Sequence, residues 1–355
     1  MYLLINPGST STKIGVSVGQ NIGFTKTIRH TQEELSAFKN VVDQKEYRTD
    51  LVIHALAENN IPLSNLKIII AIGGLIAPGD AAVYKVGGDL VQDMMEARYD
   101  EHASNLGALI AYALSGKTGA EAYIADAITV DEMDDVARIS GIPEITRRGR
   151  AHTLNQKYTA KIAAGQVGKA YENAHLIVAH LGGGISVVAH RDGRMVDTNA
   201  ARGEGPFCID RSGGVNAFEL AKMCFSGKYS REELLKKING NGGVVAYLGT
   251  RNFLDVEAAL DRGDKKAQAV FDAMSYQISK EIASMTVPLQ GKVDAIVLTG
   301  GMANSKRLCS SIAGQVGHLA EVLIYPGENE MNALAEYADL IAAGKLIPRE
   351  YHRRK

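Results

Sequence analysis

The opening of the chain alternates apolar and small polar positions in the way that two strands and a turn require. Residues 2–5 form a continuous apolar run, residues 6–12 are small, hydroxylated and turn-forming, and apolar residues then occupy every second position from Ile14 to Val18. The period of two predicts a strand–turn–strand hairpin. A dinucleotide-binding motif or a P-loop would instead run from a strand through a glycine loop into a helix. The composition of the turn suits an ordinary hairpin and also a phosphate site, because small residues let backbone N–H groups approach an anion.

The rest of the first half reads as alternating helices and strands. Thr31 and Glu34 have the spacing of a capping box and predict a helix start. A β-rich apolar run at 66–72 predicts a buried strand that ends at Gly73 and Gly74. Further predicted elements are a strand at 22–28, helices at 50–59, 91–99, 104–115 and 130–140, and a strand at 123–125 that ends at Asp126.

The second half repeats the order of the first. After a predicted helix at 157–171, a strand at 176–179 meets a glycine turn, and strands at 185–190 and 194–197 follow. A later apolar run at 294–298 ends at Gly300 and Gly301, as the run at 66–72 ends at its own glycine pair. Two features that recur in the same order favour an internal duplication of one α/β unit.

Composition limits the classes of protein to which the chain can belong. Its 355 residues are too many for one ordinary core and predict two domains. A net charge of −1 gives no electrostatic case for nucleic acid or an anionic membrane as a partner. Cys208, Cys224 and Cys309 lack metal-binding spacing and are typical of a reduced, cytoplasmic protein. The longest apolar runs are too short to span a membrane.

A duplicated α/β chain with a phosphate-type hairpin in each half suggests an enzyme with a cleft. We expect the two hairpins to face each other and hold the phosphates of a nucleotide, with the turn at 299–301 offering flat backbone to the nucleoside. Closure of such a cleft would exclude water, which a kinase needs in order not to hydrolyse its donor.

Several motifs identify a family that the chain resembles. They are INPGSTSTK at 5–13, EHASNLG at 101–107, VDEMDDVARISG at 130–141, HTLNQK at 152–157, AHLGGGISVVAHRDGR at 179–194, GEGPF at 203–207 and VVAYLGT at 244–250. They resemble the butyrate kinase branch of the acetate/butyrate kinase family, which belongs to the superfamily of acetate and sugar kinases, heat-shock proteins and actin. The resemblance implies an α/β fold of two duplicated actin-like, ribonuclease H-like domains with a central cleft.

The same resemblance implies domains and a reaction. The expected domains are 1–147 and 148–330, with a terminal helix at 331–355 that packs back on the first domain. The expected activity is reversible transfer of the γ-phosphoryl group of ATP to butyrate or a similar short-chain carboxylate, which gives an acyl phosphate. Mg²⁺ and assembly into a homo-oligomer, a dimer or larger, are also implied.

Matching the family motifs position by position yields a set of candidate site residues. The catalytic group is Asp126, His152 and Arg211. The nucleotide-binding group is Asn6, Ser9, Ser11, Lys13, His180, Gly182, Gly183, Gly184, Gly300, Gly301 and Asn304. The residues on the metal side are Asn6 and Glu330.

These residue types suit phosphoryl transfer on chemical grounds as well. The reaction needs positioning and charge neutralisation more than covalent catalysis. A guanidinium matches the oxygens of the phosphoryl group, and carboxylates match a partly hydrated Mg²⁺. Because a carboxylate acceptor is already ionised at neutral pH, no strong base is required. Asp126 is therefore better interpreted as a metal or orientation group than as a base.

The sequence also departs from the family pattern, chiefly on the substrate and adenine sides. Ile72 stands where the family has an arginine, Ala127 replaces a proline, and Asn252 and Leu254 replace an Asp-x-Arg pattern.

A cation at a transferring phosphoryl group can be worth about 10³-fold in rate, and Lys85 or Arg98 could supply a substitute for the missing arginine. The favoured hypothesis is an active short-chain carboxylate kinase. The alternatives are an impaired homologue that binds nucleotide or acyl phosphate, and a kinase of another substrate class.

Overall fold

The strands explain the alternating patterns of the sequence. A computed structural model describes residues 1–201 and 203–353. The strands are β1 (Tyr2–Pro7), β2 (Ser11–Val18), β3 (Asn21–Arg29), β4 (Ile68–Ile72), β5 (Val83–Lys85), β6 (Glu121–Ala125), β7 (His175–Leu181), β8 (Ile185–Arg191), β9 (Arg194–Thr198), β10 (Ala295–Gly300) and β11 (Val322–Pro326).

The helices surround these strands. They are α1 (Gln32–Ser36), α2 (Lys45–Glu58), α3 (Gly88–Met95), α4 (Asn105–Thr118), α5 (Asp135–Arg138), α6 (Thr153–Gln166), α7 (Ala217–Cys224), α8 (Arg231–Ile238), α9 (Gly243–Leu248), α10 (Phe253–Asp261), α11 (Lys265–Ser284), α12 (Lys306–Val316) and α13 (Glu330–Ala342). Short 3₁₀ helices lie at Val41–Gln44, Leu63–Asn65, Tyr171–Asn173 and Gly301–Asn304. None of the helices in the described ranges is both long and apolar enough to cross a membrane.

The strands form two mixed sheets of matching topology. The first has the order β3-β2-β1-β4-β6-β5 and the second the order β11-β10-β7-β8-β9. In each sheet three successive strands pair antiparallel, β1-β2-β3 in the first sheet and β7-β8-β9 in the second. The first strand of each set also pairs in parallel with the strand that leads to a glycine pair, β1 with β4 and β7 with β10. A register shift interrupts the second and third strands of both meanders. The shared strand order is what the duplication predicted from the sequence requires.

Each sheet is covered on both faces by helices. In the second sheet, Ile177 and Ala179 of β7 join the core formed with α11 and α12, while Leu176 and Val178 join the core formed with α6. In the first sheet, α4 and α13 pack on β1 and β4. The continuous apolar runs of β4 and β10 follow from this, because strands buried on both faces lose the polar alternation.

The chain divides into two compact units, residues 1–131 with 329–355 and residues 132–328. Residues 132–147, which the sequence interpretation assigns to the first domain, belong to the second unit. Arg147 pairs there with Asp197 at 3.2 Å and with Glu204 at 3.3 Å, and Lys157 pairs with Glu132 at 2.9 Å. α13 packs on the first sheet. Of the terminal segment 331–355, positions 354 and 355 lie outside the described residues.

Two local predictions had opposite outcomes. The capping box of Thr31 and Glu34 is present, with both reciprocal hydrogen bonds. The helix predicted at 130–140 is wrong in length, since α5 is a single turn. Glu132 and Asp134 instead form hydrogen bonds with β9. The Met195 N–H donates to Glu132 at 2.9 Å, and the Asp134 N–H donates to the Val196 carbonyl at 2.9 Å, so this stretch runs extended beside β9.

Two buried histidines make the stability of the fold sensitive to acid. Burial lowers the pKa of His190 to about 3 and that of His30 to about 4. The unfolded chain therefore binds protons that the folded chain does not, and stability is full above about pH 6.5 and falls as the pH drops toward 4.

Replacing His190 should flatten this pH dependence. We expect the free energy of unfolding to fall on acidification, and His190→Gln to reduce the slope by up to about 1.4 kcal/mol per pH unit. Tyr171→Phe is the matched control, because it removes the 2.8 Å hydrogen bond to His190 but keeps the titrating ring. Denaturant melts between pH 4 and 7 measure both slopes. An unchanged slope in His190→Gln would show that His190 is already protonated in the fold.

Candidate active site

The first hairpin brings the polar residues of its turn to one edge of the first sheet. Asn6 on β1 lies opposite Lys13 on β2, and opposed residues of an antiparallel pair share a face. Ala71 of β4 pairs with Ile5, so Ile72 follows on the neighbouring strand beside Asn6. Ser9 at the tip of the turn is exposed and Ser11 is half-buried. The four candidate phosphate-side residues of this hairpin therefore cluster around its turn.

The turn is held from the interior by an arginine that the sequence interpretation did not single out. Arg48 on α2 is 1% exposed. Its guanidinium donates to the carbonyls of Gly8 at 2.8 Å, Ser9 at 3.2 Å and Ser11 at 3.1 Å. The hairpin is thus tied to a helix that begins more than thirty residues later in the chain.

Asp126 has an unusual backbone and a specific partner. It directly follows β6, has a φ of +42° and is 2% exposed. A non-glycine residue in the left-handed region stores strain, and such residues concentrate at functional sites. Tyr337 of α13 donates its hydroxyl hydrogen to Asp126 Oδ2 at 2.6 Å. The carboxylate is therefore fixed by the terminal helix as well as by its own strand.

Glu330 is the first residue of that same helix. It is 7% exposed and lies in the first turn of α13, where the helix dipole favours a negative charge. Because α13 packs on β1 and β4, its first turn belongs to the same unit as Asn6 and Asp126. The candidate metal-side residues are thus carried by one compact unit.

In the second unit, two histidines stack beneath the second hairpin. The rings of His152 and His180 are parallel within 12°, with centroids 3.9 Å apart. His152 Nδ1 lies 3.0 Å from Ser186 Oγ, and His180 Nδ1 lies 3.0 Å from Asn155 Oδ1. Burial, and then the neighbouring ring of His152, holds the pKa of His180 well below its usual range, so His180 is neutral.

His180 supports the turn from below. It is 2% exposed, and a Cβ on Gly182 would lie 3.1 Å from its Nε2. His180 therefore packs against the glycine turn, and the ring of half-buried His152 stacks on the ring of His180.

Arg211 packs directly on the glycine turn. A Cβ on Gly184 would lie 2.4 Å from Arg211 Nη1, and that nitrogen donates to the Ala201 carbonyl at 2.8 Å. Arg211 Nε is buried and has no hydrogen-bond partner among the described residues. Next to it, the Cys208 thiol donates to the Gly183 carbonyl at 2.7 Å. Arg211 Nε also forms an ion pair with Asp210 Oδ1 at 3.8 Å. A guanidinium beside a glycine turn is suited to binding an anion.

The third glycine turn has one strained and one open position. Gly300 has a φ of +88°, and a Cβ there would lie 2.5 Å from the Leu181 carbonyl oxygen, so only glycine fits. Gly301 is exposed, with nothing within 4 Å of a Cβ. Asn304 is exposed and donates to the Gly301 carbonyl at 2.9 Å. The turn therefore presents open backbone, as a nucleoside platform requires.

Comparisons with known proteins bear on what these turns do. The model of the acetokinase family matches residues 141–339. The chain is 45% identical over 350 residues to butyrate kinase 2 of Clostridium acetobutylicum, across 98% of each protein. The chain belongs to the acetokinase family. The resemblance stated from the sequence is thereby confirmed.

Solved structures of acetokinase relatives share the fold. The acetate kinase of Porphyromonas gingivalis superposes with a TM-score of 0.78 at 15% identity, over 96% of this chain and 99% of that one. A propionate kinase from Francisella tularensis gives 0.74 at 18% identity, over 94% and 98%. The predicted fold class, two α/β domains of the actin-like type, is confirmed.

On the adenine side, the structure explains one of the two departures from the family pattern. Asn252 is the N-cap of α10 and accepts from the Leu254 N–H at 3.2 Å. Its side-chain amide also donates to Asp255 at 3.2 Å. The Leu254 side chain is 67% exposed. Asn252 therefore stabilises a helix start, and nothing in the structure explains Leu254.

On the substrate side, Ile72 brings no charge, and the two suggested substitutes are placed elsewhere. Arg98 lies 3.5 Å from Asp93, a fully buried carboxylate that also binds Arg353 at 2.9 Å. Lys85 is exposed on β5 and lies opposite Tyr123 in the strand register, two residues before the carboxyl end of β6. Asp93 therefore engages Arg98, and Lys85 lies away from the carboxyl end of β6 that leads into Asp126.

The oxygen donors of the first unit fit Mg²⁺ in kind. Mg²⁺ takes one or two carboxylates and completes its shell with water and phosphate oxygens. The amide oxygen of Asn6 and the carboxylates of Asp126 and Glu330 are such ligands. The described residues contain no cluster of three or more His, Cys, Asp or Glu side chains that could hold a metal ion by themselves. A magnesium ion here would therefore rely on the nucleotide for part of its shell.

Proposed function

We propose that this acetokinase-family chain is a short-chain carboxylate kinase that transfers the γ-phosphoryl group of ATP to butyrate or a similar carboxylate and gives an acyl phosphate, reversibly. The observation that carries the proposal is the 45% identity to a butyrate kinase across 98% of both proteins. The turns that contain the family motifs also support the proposal, because their geometry is open or suited to an anion.

The candidate residues would have distinct tasks in this reaction. An oxygen of the carboxylate forms the new bond to phosphorus as the bond to the ADP oxygen breaks, and no proton has to move. Arg211 would neutralise charge on the phosphoryl group, and His152 would donate a hydrogen bond to it. The turn at 8–11 with Lys13 would hold the donor phosphates, and the turn at 300–304 the nucleoside.

Mg²⁺ would be held by Asn6 and Glu330, with Asp126 orienting the acceptor or the metal water. When bound, the ion supplies charge neutralisation on the donor phosphates. Tyr337 would keep the Asp126 carboxylate in one rotamer, because its hydroxyl donates to Oδ2 at 2.6 Å.

The proposal is tested by trapping the product. Purified protein with ATP, Mg²⁺ and hydroxylamine is offered carboxylates of two to five carbons, and acyl hydroxamate is measured. We expect product, with one chain length preferred. Intact ATP binding without product from any carboxylate would favour the impaired homologue, for which the uncharged Ile72 is the specific observation. Phosphorylation of sugars or other alcohols alone would favour another substrate class.

Ile72→Arg tests what the missing cation costs. Because Arg98 is paired with the buried carboxylate of Asp93 and Lys85 lies away from the carboxyl end of β6, we expect the new arginine to raise kcat/KM for the carboxylate by about 10-fold or more. Ile72→Met is the matched control, since it is similar in volume and uncharged. Initial rates at subsaturating carboxylate measure the change. An unchanged or lower rate in Ile72→Arg would show that another cation already does this work.

We also propose that the protein is a cytoplasmic homo-oligomer. α7 has no buried residue, and Phe218 and Phe225 are 70% and 92% exposed. Large exposed apolar groups are typical of interaction surfaces. The exposed free thiol of Cys224 suits a reducing compartment. Light scattering should give a mass of two chains or more, and Phe218→Glu with Phe225→Glu should reduce it. A monomeric wild type would refute the oligomer.

A further inference from the structure

The guanidinium of Arg48 lies on the interior side of the turn at 8–11 and donates hydrogen bonds to its carbonyl groups. The guanidinium is buried, and every N–H group of it faces an acceptor. The acceptors are the carbonyls of Gly8, Ser9 and Ser11, the Thr12 hydroxyl at 3.1 Å, and Gln44 Oε1 at 2.7 and 3.0 Å. Gln44, one helical turn earlier, receives two of these bonds and fixes the plane of the guanidinium.

This arrangement sets the direction of the amide groups in the turn. Peptide groups are planar and trans, so a carbonyl that points to Arg48 leaves the next N–H pointing away from it. The N–H groups of Ser9 and Thr10 therefore point to the exposed side of the turn. Neither has a hydrogen-bond acceptor within residues 1–201 and 203–353. Adjacent unpaired amides of this kind form an anion-binding concavity.

Arg48 also contributes charge. No carboxylate of the described chain forms an ion pair with it. Burial lowers its pKa to about 10, so it remains a cation at neutral pH. An unpaired buried cation is costly for a fold, and a purely structural brace would not require one. Behind an anion site, however, the charge raises the potential at the outward amides.

We propose that Arg48 is a positioning residue of the donor-phosphate site, which holds the turn at 8–11 with its amide groups outward and places a positive charge behind them. The proposal rests on the proposed function in one respect, namely that this turn binds the phosphates of ATP. It assigns a role in nucleotide affinity to a side chain that does not touch the nucleotide.

Binding and kinetic measurements on three full-length variants test the proposal. Arg48→Met removes both charge and donors and should weaken MgATP binding by about 10-fold or more, with KM for the carboxylate changed less than about 2-fold. Arg48→Lys keeps the charge and should lose less affinity. Thr49→Val is the matched control, because Thr49 is buried on the same helix and its hydroxyl bonds only to the Lys45 carbonyl at 2.6 Å. Its affinity for MgATP should equal that of the wild type.

The outcomes separate this role from a structural one. Wild-type MgATP affinity in folded Arg48→Met, or parallel losses for ATP and carboxylate, would overturn the proposal. If Arg48→Met does not fold, Arg48→Lys decides alone: weaker ATP binding at constant carboxylate KM supports the proposal, and wild-type affinity overturns it. Calorimetric titration with MgATP needs no turnover. A chain that binds ATP but makes no acyl phosphate would refute the proposed function and leave this test valid, whereas absence of ATP binding in the wild type refutes both.

Discussion

Arg211→Ala is expected to lower kcat for phosphoryl transfer by about 10³-fold or more, while the Kd for MgATP changes little. The guanidinium lies against Gly184 of the second turn, is held by the Ala201 carbonyl, and keeps its buried Nε without a hydrogen-bond partner among the described residues. A guanidinium held against a glycine turn is positioned to neutralise the charge that the reaction develops. Rapid-quench measurement of acyl phosphate formation, with calorimetric titration of MgATP, separates chemistry from binding.

Two further variants make the role of Arg211 specific. Arg211→Lys keeps the charge but loses the planar fork, and we expect it to recover only part of the rate. Gly184→Ala keeps Arg211 but adds a methyl group that would lie only 2.4 Å from Arg211 Nη1. Because the clash is with the end of a flexible side chain, the guanidinium should move and kcat should fall without a large loss of thermal stability. A rate within about ten-fold of wild type for Arg211→Ala, which corresponds to about 1.4 kcal/mol of activation free energy, would contradict the assignment.

Asp126→Asn is expected to lower kcat by about 10²–10³-fold. The change removes the negative charge but preserves shape, and asparagine tolerates the positive φ of this position nearly as well as aspartate does. The loss therefore reports the carboxylate rather than the backbone. Steady-state rates at saturating ATP and carboxylate, repeated over a range of Mg²⁺ concentrations, measure it.

The comparison with two other variants isolates the backbone and the hydrogen bond. Asp126→Ala adds strain in the left-handed region, so it should also lower the melting temperature, which Asp126→Asn should change little. Tyr337→Phe removes only the hydroxyl that donates to Oδ2, and we expect a smaller loss of kcat with the fold intact. Wild-type turnover in Asp126→Asn would show that the carboxylate charge has no part in the reaction.

The elements that the sequence predicted best are those whose signal is local. The hairpin at 5–18 and its counterpart at 176–190 were visible because a period of two and a run of small residues are properties of adjacent positions. The duplication followed from the same signals, and the strand orders of the two sheets agree with it. The capping box at Thr31 and Glu34 was equally local.

What the sequence did not indicate depends on contacts between distant residues. Arg48 lies in a charged stretch just before the helix predicted at 50–59, where a solvent-facing side chain is typical, yet the fold buries it against the carbonyl of Gly8, 40 positions away. Tyr337 reaches Asp126 across 211 positions. The Cys208 thiol donates to the Gly183 carbonyl across 25 positions. The one available signal was compositional, since DQKEYR at 43–48 contains a glutamine and an arginine one helical turn apart.

The helix expected at 130–140 shows the converse limit. Its acidic composition favours a helix locally, but Glu132 and Asp134 form better bonds with β9 and with Arg191, whose guanidinium lies 2.9 Å from Asp134. Tertiary contacts therefore override local propensity there.

The most direct test of the central claim is to follow phosphorus in a mixture of protein, MgATP and butyrate by ³¹P nuclear magnetic resonance. The proposed function predicts loss of the γ-phosphorus signal of ATP, with matching growth of ADP and acyl phosphate signals, and almost no change with Arg211→Ala. Release of free phosphate alone, or no change with wild-type protein that binds ATP, would contradict it.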